Sequence, residues 1–281
     1  MTLATTRTVR LSGGVEIPQV GLGVFEVPPG EVQIVVEQAL EIGYRHVDTA
    51  AAYANEAGVG AAVRASGLPR EDIFVTSKLR NGDHGYDGAL RAYDETCSRL
   101  GLDSLDLYLV HWPNPRAGLW QDSWRALQRL HDRSLVRDVG VSNFLVEHLT
   151  ELSGFADRLP AVNQIELHPT YQQRDVTAWC EANGVVIEAY SPLGRGTDLT
   201  AETVRSIADR LGVSAAGVIL RWHLDSGRVV IPKTVSPERM HENAALDAIA
   251  LTPQDLKDLD DLERGNRTGN DPRTFDLSQI R

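Results

Sequence analysis

A (β/α)8 barrel preceded by a β-hairpin is the fold that this 281-residue sequence predicts. Three observations carry that expectation. Short apolar runs alternate with longer helix-periodic stretches along the chain, the pattern of parallel strands joined by helical crossovers. The short runs number eight. Nearly all of them finish on a polar or ionisable residue, as strands do when they open on one functional mouth. An open doubly wound sheet is the competing arrangement, since it produces the same alternation.

Ahead of the first run, residues 7–11 and 15–17 flank Ser12-Gly13-Gly14, two extended pieces around a glycine turn that predict the hairpin. The eight runs are 19–23 (QVGLG), 45–48 (RHVD), 73–78 (IFVTSK), 105–111 (LDLYLVH), 136–143 (VRDVGVSN), 162–166 (VNQIE), 185–190 (VVIEAY) and 229–233 (VVIPK). Most are rich in β-branched residues and too short for stable helices. Residues 31–42 place Val32, Val35, Val36, Ala39 and Leu40 on one helical stripe, with Gly43 as its stop. Helical periodicity recurs over 89–100, 118–131, 146–152, 176–183, 201–211 and 214–224. Ser236-Pro237 reads as the start of a further helix, and Thr252 with Asp255 as a capping box opening the last one. The polar tail 264–281, with Gly265, Gly269 and Pro272, is expected to fold over the mouth, anchored by Phe275. A short tail leaves the pocket open and predicts broad substrate use. No linker or low-complexity run divides the chain, so 1–281 reads as one domain.

Composition narrows the function. The net charge of −11, from 28 basic and 39 acidic residues, argues against a nucleic-acid partner and an anionic membrane surface. A hydrophobic share of 42% with 24% charged residues is globular and not disordered. No uncharged apolar stretch approaches the roughly 18 residues of a membrane span, and MTLATTRTVR lacks the apolar core of a signal peptide. Cys97 and Cys180 form no CxxC pair and read as reduced thiols. A cytoplasmic protein is expected.

Strand ends bring Asp48, Lys78, His111, Ser142-Asn143, Gln164, Glu166, Tyr190-Ser191 and Lys233 toward one rim. Among these, with Tyr53 nearby, lies a set suited to one chemistry. A hydride delivered to a carbonyl carbon leaves an alkoxide that needs a proton. A phenol is a poor acid at neutral pH, and an adjacent ammonium makes it a better one. Lys78 supplies such a cation, Asp48 keeps it charged, and His111 offers a hydrogen bond to the developing oxyanion. On these residues alone, Asp48–Lys78 as a structural ion pair and Lys78 as a Schiff-base nucleophile are alternatives.

Seven segments in chain order resemble the aldo-keto reductase family: 43–56 (GYRHVDTAAAYANE), 75–79 (VTSKL), 105–113 (LDLYLVHWP), 140–144 (GVSNF), 163–169 (NQIELHP), 191–194 (SPLG) and 231–243 (IPKTVSPERMHEN). The pattern is similar to the prokaryotic short-tailed members, including the 2,5-diketo-gluconate reductases. The resemblance implies NADPH-dependent reduction of aldehydes or ketones, small aldehydes, dicarbonyls or keto-sugar acids among them, by a monomer with a small-molecule carbonyl substrate. It implies Tyr53 as proton donor, Lys78 and Asp48 as the pair that lowers its pKa, and His111 as the group orienting the carbonyl. Ser142, Asn143 and Gln164 are then expected on the nicotinamide carboxamide, Tyr190 on its ring, and Ser191, Leu193 and Gly194 along the pyrophosphate. Lys233, Thr234 and Arg239, with Val235 beside them, are expected on the 2′-phosphate, and Glu242 and Asn243 on adenine. Thr234 replaces the more usual Ser and keeps the hydroxyl.

The residues bear separately on the cofactor. Gly21-Leu22-Gly23 and Gly58-Val59-Gly60 both lack the third glycine of a Rossmann turn, carrying Glu26 and Val63 there. Lys233 and Arg239 instead flank the helix start at Ser236-Pro237-Glu238, a combination suited to a phosphate monoester and so to NADPH over NADH. His46, Asp48, His111 and His168 lack metal-ligand spacing, and no metal is expected. His46 and His168 read as structural, and His84, His131, His148, His223 and His241 as surface or helix residues. Trp120, Trp124, Trp179 and Trp222 read as packing, whereas Trp112 and Phe25 are expected to line the pocket. Arg80 stands where many family members carry Trp. It is either solvent-facing or a rim cation for a carboxylated or phosphorylated substrate. A nucleotide-binding module without turnover is the competing functional class.

Overall fold

Eight short parallel strands curl into a closed ring in the computed structural model, which describes residues 4–276. Residues 277–281, the end of the expected tail loop, lie outside the described residues. The hairpin comes first: β1 (Thr8–Arg10) pairs antiparallel with β2 (Glu16–Pro18), Thr8 opposite Pro18. Gly14 takes φ 85° in the turn, a conformation that only glycine reaches without steric cost. From this end Leu11 and Ile17 pack onto Phe74, Leu107, Leu109 and Val162, apolar side chains of the barrel strands.

The ring strands are β3 (Leu22–Gly23), β4 (His46–Asp48), β5 (Phe74–Leu79), β6 (Leu105–Val110), β7 (Val136–Ser142), β8 (Val162–Glu166), β9 (Val186–Tyr190) and β10 (Val229–Val230). They neighbour one another in strict chain order, from β3 to β10. A doubly wound sheet would reverse that order partway. The two ends then meet: Gly21 donates its N–H to Val230 O at 2.8 Å, and Val230 donates to Gln19 O at 2.9 Å. β10 stops at Val230, short of the expected Lys233, because Pro232 has no N–H for the ladder.

Helices α1 (Val32–Ile42), α2 (Glu56–Ala65), α3 (Tyr86–Leu100), α4 (Trp120–Asp132), α5 (Val146–Ser153), α6 (Arg174–Ala182), α7 (Glu202–Leu211) and α8 (Ala215–Asp225) follow the strands, with α9 (Pro237–Ala244) and α10 (Pro253–Asp260) at the end. The α1 stripe is buried as patterned, and Gly43, at φ 118°, closes the helix onto the carbonyls of Ala39 and Leu40. Ser236 caps α9 by accepting from Arg239 N, and Thr252 and Asp255 form a reciprocal capping box on α10. Trp120, Trp124 and Trp222 are buried between helices and sheet. Cys97 and Cys180 are free thiols, and no described helix is long and apolar enough to cross a membrane.

Helix α2 is the element the periodicity does not announce. Gly58 and Gly60 weaken both its apolar stripe and its propensity. The packing explains them: a Cβ on Gly60 would sit 1.7 Å from Leu100 O at the end of α3, and one on Gly58 2.4 Å from Val32 Cγ1 of α1. Gly60→Ala is therefore expected to cost about 1–3 kcal/mol of stability through overpacking against rigid backbone. Urea unfolding is the measurement, and an unchanged midpoint would show that α2 and α3 can part at no cost.

Candidate active site

Alternation along β4 and β5 turns Asp48 and Lys78 to the same interior. Lys78 Nζ donates to Asp48 Oδ1 at 2.6 Å and to Thr49 O at 2.8 Å, with both side chains buried. It also donates to the Tyr53 hydroxyl at 3.4 Å and lies 5.0 Å from that ring's centroid. Tyr53 sits on a single helical turn (Ala51–Tyr53) directly after β4, closed by Ala54 in the left-handed region at φ 56°. His111, the residue following β6, meets Tyr53 edge-on with ring centroids 5.7 Å apart. The four residues expected to carry the chemistry thus meet at one mouth of the barrel.

Their ionisation follows from burial and from one another. Burial pulls the Lys78 ammonium down, and Asp48 and Tyr53 more than offset it, leaving it above its ordinary value. Burial also raises Asp48, against the pull of Lys78. His111 is held well below the ordinary imidazole range by burial and then by Lys78, so its ring is neutral at physiological pH. For Tyr53 the expectation of a lowered pKa is overturned. Burial raises it by more than Lys78 lowers it, and Asp48 adds to the rise. The free-site phenol is therefore fully protonated near neutrality.

A second network adjoins the first. Ser142 Oγ donates to Gln164 O at 2.9 Å, Asn143 Nδ2 donates to His111 O at 2.9 Å, and Tyr190 OH donates to Asn143 Oδ1 at 2.8 Å. Asn143 and Ser191 take φ values of 64° and 47° immediately beyond β7 and β9, sparsely populated conformations that collect at functional sites. These residues border a cavity of about 540 Å³. Of the expected cofactor residues, Ser142, Asn143, Gln164, Tyr190, Ser191 and Leu193 line it, as do Lys233 and Arg239. Neither Lys233 nor Arg239 is ion-paired among the described residues. Gly194, Thr234, Val235, Glu242 and Asn243 do not line it. Thr234 Oγ1 instead accepts from Ser236 N, ahead of α9.

Phe25 and Trp112 line the cavity, with Phe25 tilted over Tyr53 at 5.1 Å. Phe275 packs on Trp112 at 4.3 Å, bringing the tail to the mouth. Arg80 is not among the lining residues: its guanidinium is tied to Asp83, three residues on, within a short helical turn. His84, expected on the surface or in a helix, is buried outside any helix. Sequence reasoning missed Arg195 in the cavity wall and Glu188 beneath it, and in the tail expected over the mouth it did not single out Gly269 and Asn270 as lining residues. Arg195 and the tail sit in loops without periodic signal. Glu188 was legible as a charge inside an apolar run.

His168 was expected to be structural, and its partners give that role content. Nδ1 lies 2.9 Å from Asp198 Oδ2 and Nε2 3.3 Å from Glu166 Oε1, all buried. Glu166 also accepts from the backbone N–H groups of Thr268 and Gly269 in the tail. Among the described residues, no cluster of His, Cys, Asp and Glu is arranged to hold a metal ion.

A buried Lys–Asp pair under a tyrosine lies at the mouth of an eight-stranded parallel barrel. The chain belongs to the aldo/keto reductase family, whose model matches residues 19–264. It is 44% identical to the glyoxal reductase of Bacillus subtilis, over 94% of this chain and 96% of that one. It is also 44% identical to the morphine 6-dehydrogenase of Pseudomonas putida, over 97% and 96%. Among solved structures, it superposes on a Gox0644 variant in complex with NADPH with a TM-score of 0.92 at 41% identity, covering 96% of this chain and 98% of that one. It is thus an NADP-dependent oxidoreductase that uses NADPH in carbonyl reduction.

The His168 cluster supplies a pH dependence. Burial lowers its imidazole, but Asp198 and Glu166 more than offset that and raise it to about 9. A raised cation stabilises the fold fully below its ordinary range, and the contribution is lost as pH climbs through the folded value. His168→Gln is expected to cost on the order of 3 kcal/mol near neutrality, with the deficit shrinking as pH rises through about 9. Thermal melts across that range measure it, and a pH-independent deficit would rule out the charged form.

Proposed function

We propose that this chain reduces small aldehydes, dicarbonyls or keto-sugar acids to alcohols, with Tyr53 as the proton donor. The observation that carries this reading is the Tyr53 hydroxyl held 3.4 Å from the buried Lys78 ammonium, beside a neutral His111, on the wall of one cavity. NADPH, when bound, supplies the hydride to the carbonyl carbon. The chain's own groups manage the oxygen. Neutral His111 donates a hydrogen bond to the carbonyl oxygen and sets its direction. Tyr53 enters the reaction with its proton in place, and the proton passes from its hydroxyl oxygen to the alkoxide. Charge then develops on the phenolate next to Lys78, so the ammonium stabilises the transition state more than the starting state. Asp48 keeps Lys78 charged in a site from which water is excluded.

The cavity fits the nucleotide. Ser142, Asn143 and Gln164 put hydroxyl and amide groups on the wall next to Tyr190, matching a carboxamide and the face of its ring. Lys233 and Arg239, without carboxylate partners among the described residues, stand beside the capped start of α9. That supports their binding the 2′-phosphate. Phe25, Trp112 and Phe275 give the substrate end an aromatic wall without a fixed cation, which suits small carbonyl compounds of varied structure. Glyoxal reduction by the Bacillus subtilis relative favours a dicarbonyl within that class. The 2,5-diketo-gluconate type of substrate stays within the same proposal. Arg80, paired with Asp83 in the loop after β5, is given no part in substrate binding in this reading. A single domain, a monomer and a cytoplasmic location with reduced Cys97 and Cys180 complete the reading.

Tyr53→Phe is expected to lower kcat by about 10²–10⁴-fold, with NADPH binding followed by tryptophan fluorescence nearly unchanged. Wild-type turnover in that variant would remove Tyr53 as the donor. Fluorescence quenching by NADPH without carbonyl-dependent oxidation in the wild type would mark a binding module instead. Replacing Lys233 or Arg239 by Ala should raise KM for NADPH about tenfold or more while sparing NADH, since each charge-assisted contact is worth roughly 1.5–3 kcal/mol.

A further inference from the structure

Beneath the Asp48–Lys78 pair the barrel interior carries a line of polar groups that the chemistry above leaves unexplained. Gln164 Nε2 donates to Asp48 Oδ2 at 2.8 Å and to Glu188 Oε2 at 2.7 Å. A carboxylate paired with lysine only accepts, so the amide nitrogen faces it and each carboxyl group takes one of the two N–H hydrogens. The amide oxygen is left on the other side, and Gln164 lines the cavity.

Glu188, on β9, is fully buried, and its Oε1 has no hydrogen-bond partner but lies 3.5 Å from His46 Nε2. His46 Nδ1 in turn faces the carbonyl oxygen of Pro18 at 3.3 Å. A carbonyl oxygen cannot donate, so Nδ1 carries the ring hydrogen and Nε2 presents a lone pair. His46 itself is neutral, since burial takes its pKa down to about 3. An ionised oxygen held against that lone pair would be repelled, whereas a protonated one is not. The contact therefore favours Glu188 in its protonated, neutral form, while Thr76 Oγ1, at 3.3 Å, is the hydrogen-bond donor to Nε2.

We propose that Glu188 is a positioning residue for carbonyl reduction: it fixes the Gln164 amide with its oxygen toward the cavity, and its retained proton keeps a second negative charge away from Lys78. The proposal rests on the assignment of Tyr53 as proton donor. The titratable groups facing Glu188 are Asp48 and His46 of β4, Lys78 of β5, and Tyr53; β8 offers the neutral Gln164 and β10 the apolar Val229. Burial, followed by the charge of Asp48, pushes the Glu188 carboxyl up to about 8. Ionisation above that point draws on Lys78, makes the Tyr53 phenol a weaker acid and slows reduction.

Glu188→Gln and Glu188→Leu separate the two roles in the full-length protein. The glutamine variant still accepts from Gln164 but cannot ionise, whereas the leucine variant does neither. In the wild type, kcat for reduction should fall severalfold as pH rises through about 8, and in Glu188→Gln that fall should vanish while NADPH affinity by tryptophan fluorescence stays within about twofold of wild type. Glu188→Leu should bind NADPH about fivefold or more weakly, because the Gln164 amide is free to turn. A melting series gives a readout independent of turnover. A carboxyl raised on folding makes the native state hold its proton longest, so wild type should lose stability relative to Glu188→Gln between about 4.5 and about 8. An unchanged alkaline limb in Glu188→Gln, wild-type NADPH affinity in Glu188→Leu, or parallel melting series would each overturn the proposal. If Tyr53→Phe meanwhile loses its turnover, the proton-donor reading stands and only the Glu188 role fails. A wild type that does not oxidise NADPH with any carbonyl overturns both.

Discussion

A lysine ammonium with no exposure to solvent, held by one carboxylate and one backbone carbonyl, is the constraint around which the upper barrel is arranged. Such a charge is costly to bury unless its geometry and hydrogen bonds are close to complete. Here Lys78 directs its three hydrogens to Asp48, Thr49 and Tyr53. Asp48 in turn divides its oxygens between Lys78 and Gln164. Each donor has an acceptor, so the pair is stable as an ionic unit and holds the phenol at a fixed place above it. Burial first, and then the neighbouring Lys78 charge, keeps His111 neutral.

Much of this was legible in the chain because the barrel imposes a simple rule. Strand runs alternate in and out, and their last inward residue reaches the mouth, so Asp48, Lys78, His111 and Gln164 could be gathered without knowing any distance. The hairpin, the ring strands and most helices followed from period and turn residues. Helix α2 escaped because Gly58 and Gly60 serve a close approach between helices, a demand that erases the stripe by which helices are recognised. The direction of the Tyr53 shift escaped for a different reason: sequence names the neighbours of a group but not how completely water is removed, and here burial outweighs the cation. Arg80, read as either solvent-facing or a rim cation, pairs with Asp83 three residues on, a local contact that strand and helix periodicity does not announce.

The layout separates tasks by depth. Apolar side chains from the hairpin and strands fill the base, Leu11 and Ile17 among them. Above them lie His46, Glu188 and Gln164, and higher still the Asp48–Lys78–Tyr53 group. Apart from Glu188 Oε1, the polar side chains of this layer bond to one another or to backbone and not to solvent, so the protonation state of each depends on the next. The short ring strands suffice because the residues past their ends, Asn143 and Ser191 among them, adopt left-handed backbone that turns the chain sharply at the rim.

The Glu166–His168–Asp198 cluster ties together two segments far apart in the chain. Asp198 belongs to the stretch after β9, whose Leu193, Arg195 and Leu199 line the cavity, while Glu166 grips Thr268 and Gly269 of the tail. Two walls of the cleft therefore share one buried anchor, so that a change at His168 bears on the loop after β9 and on the tail together.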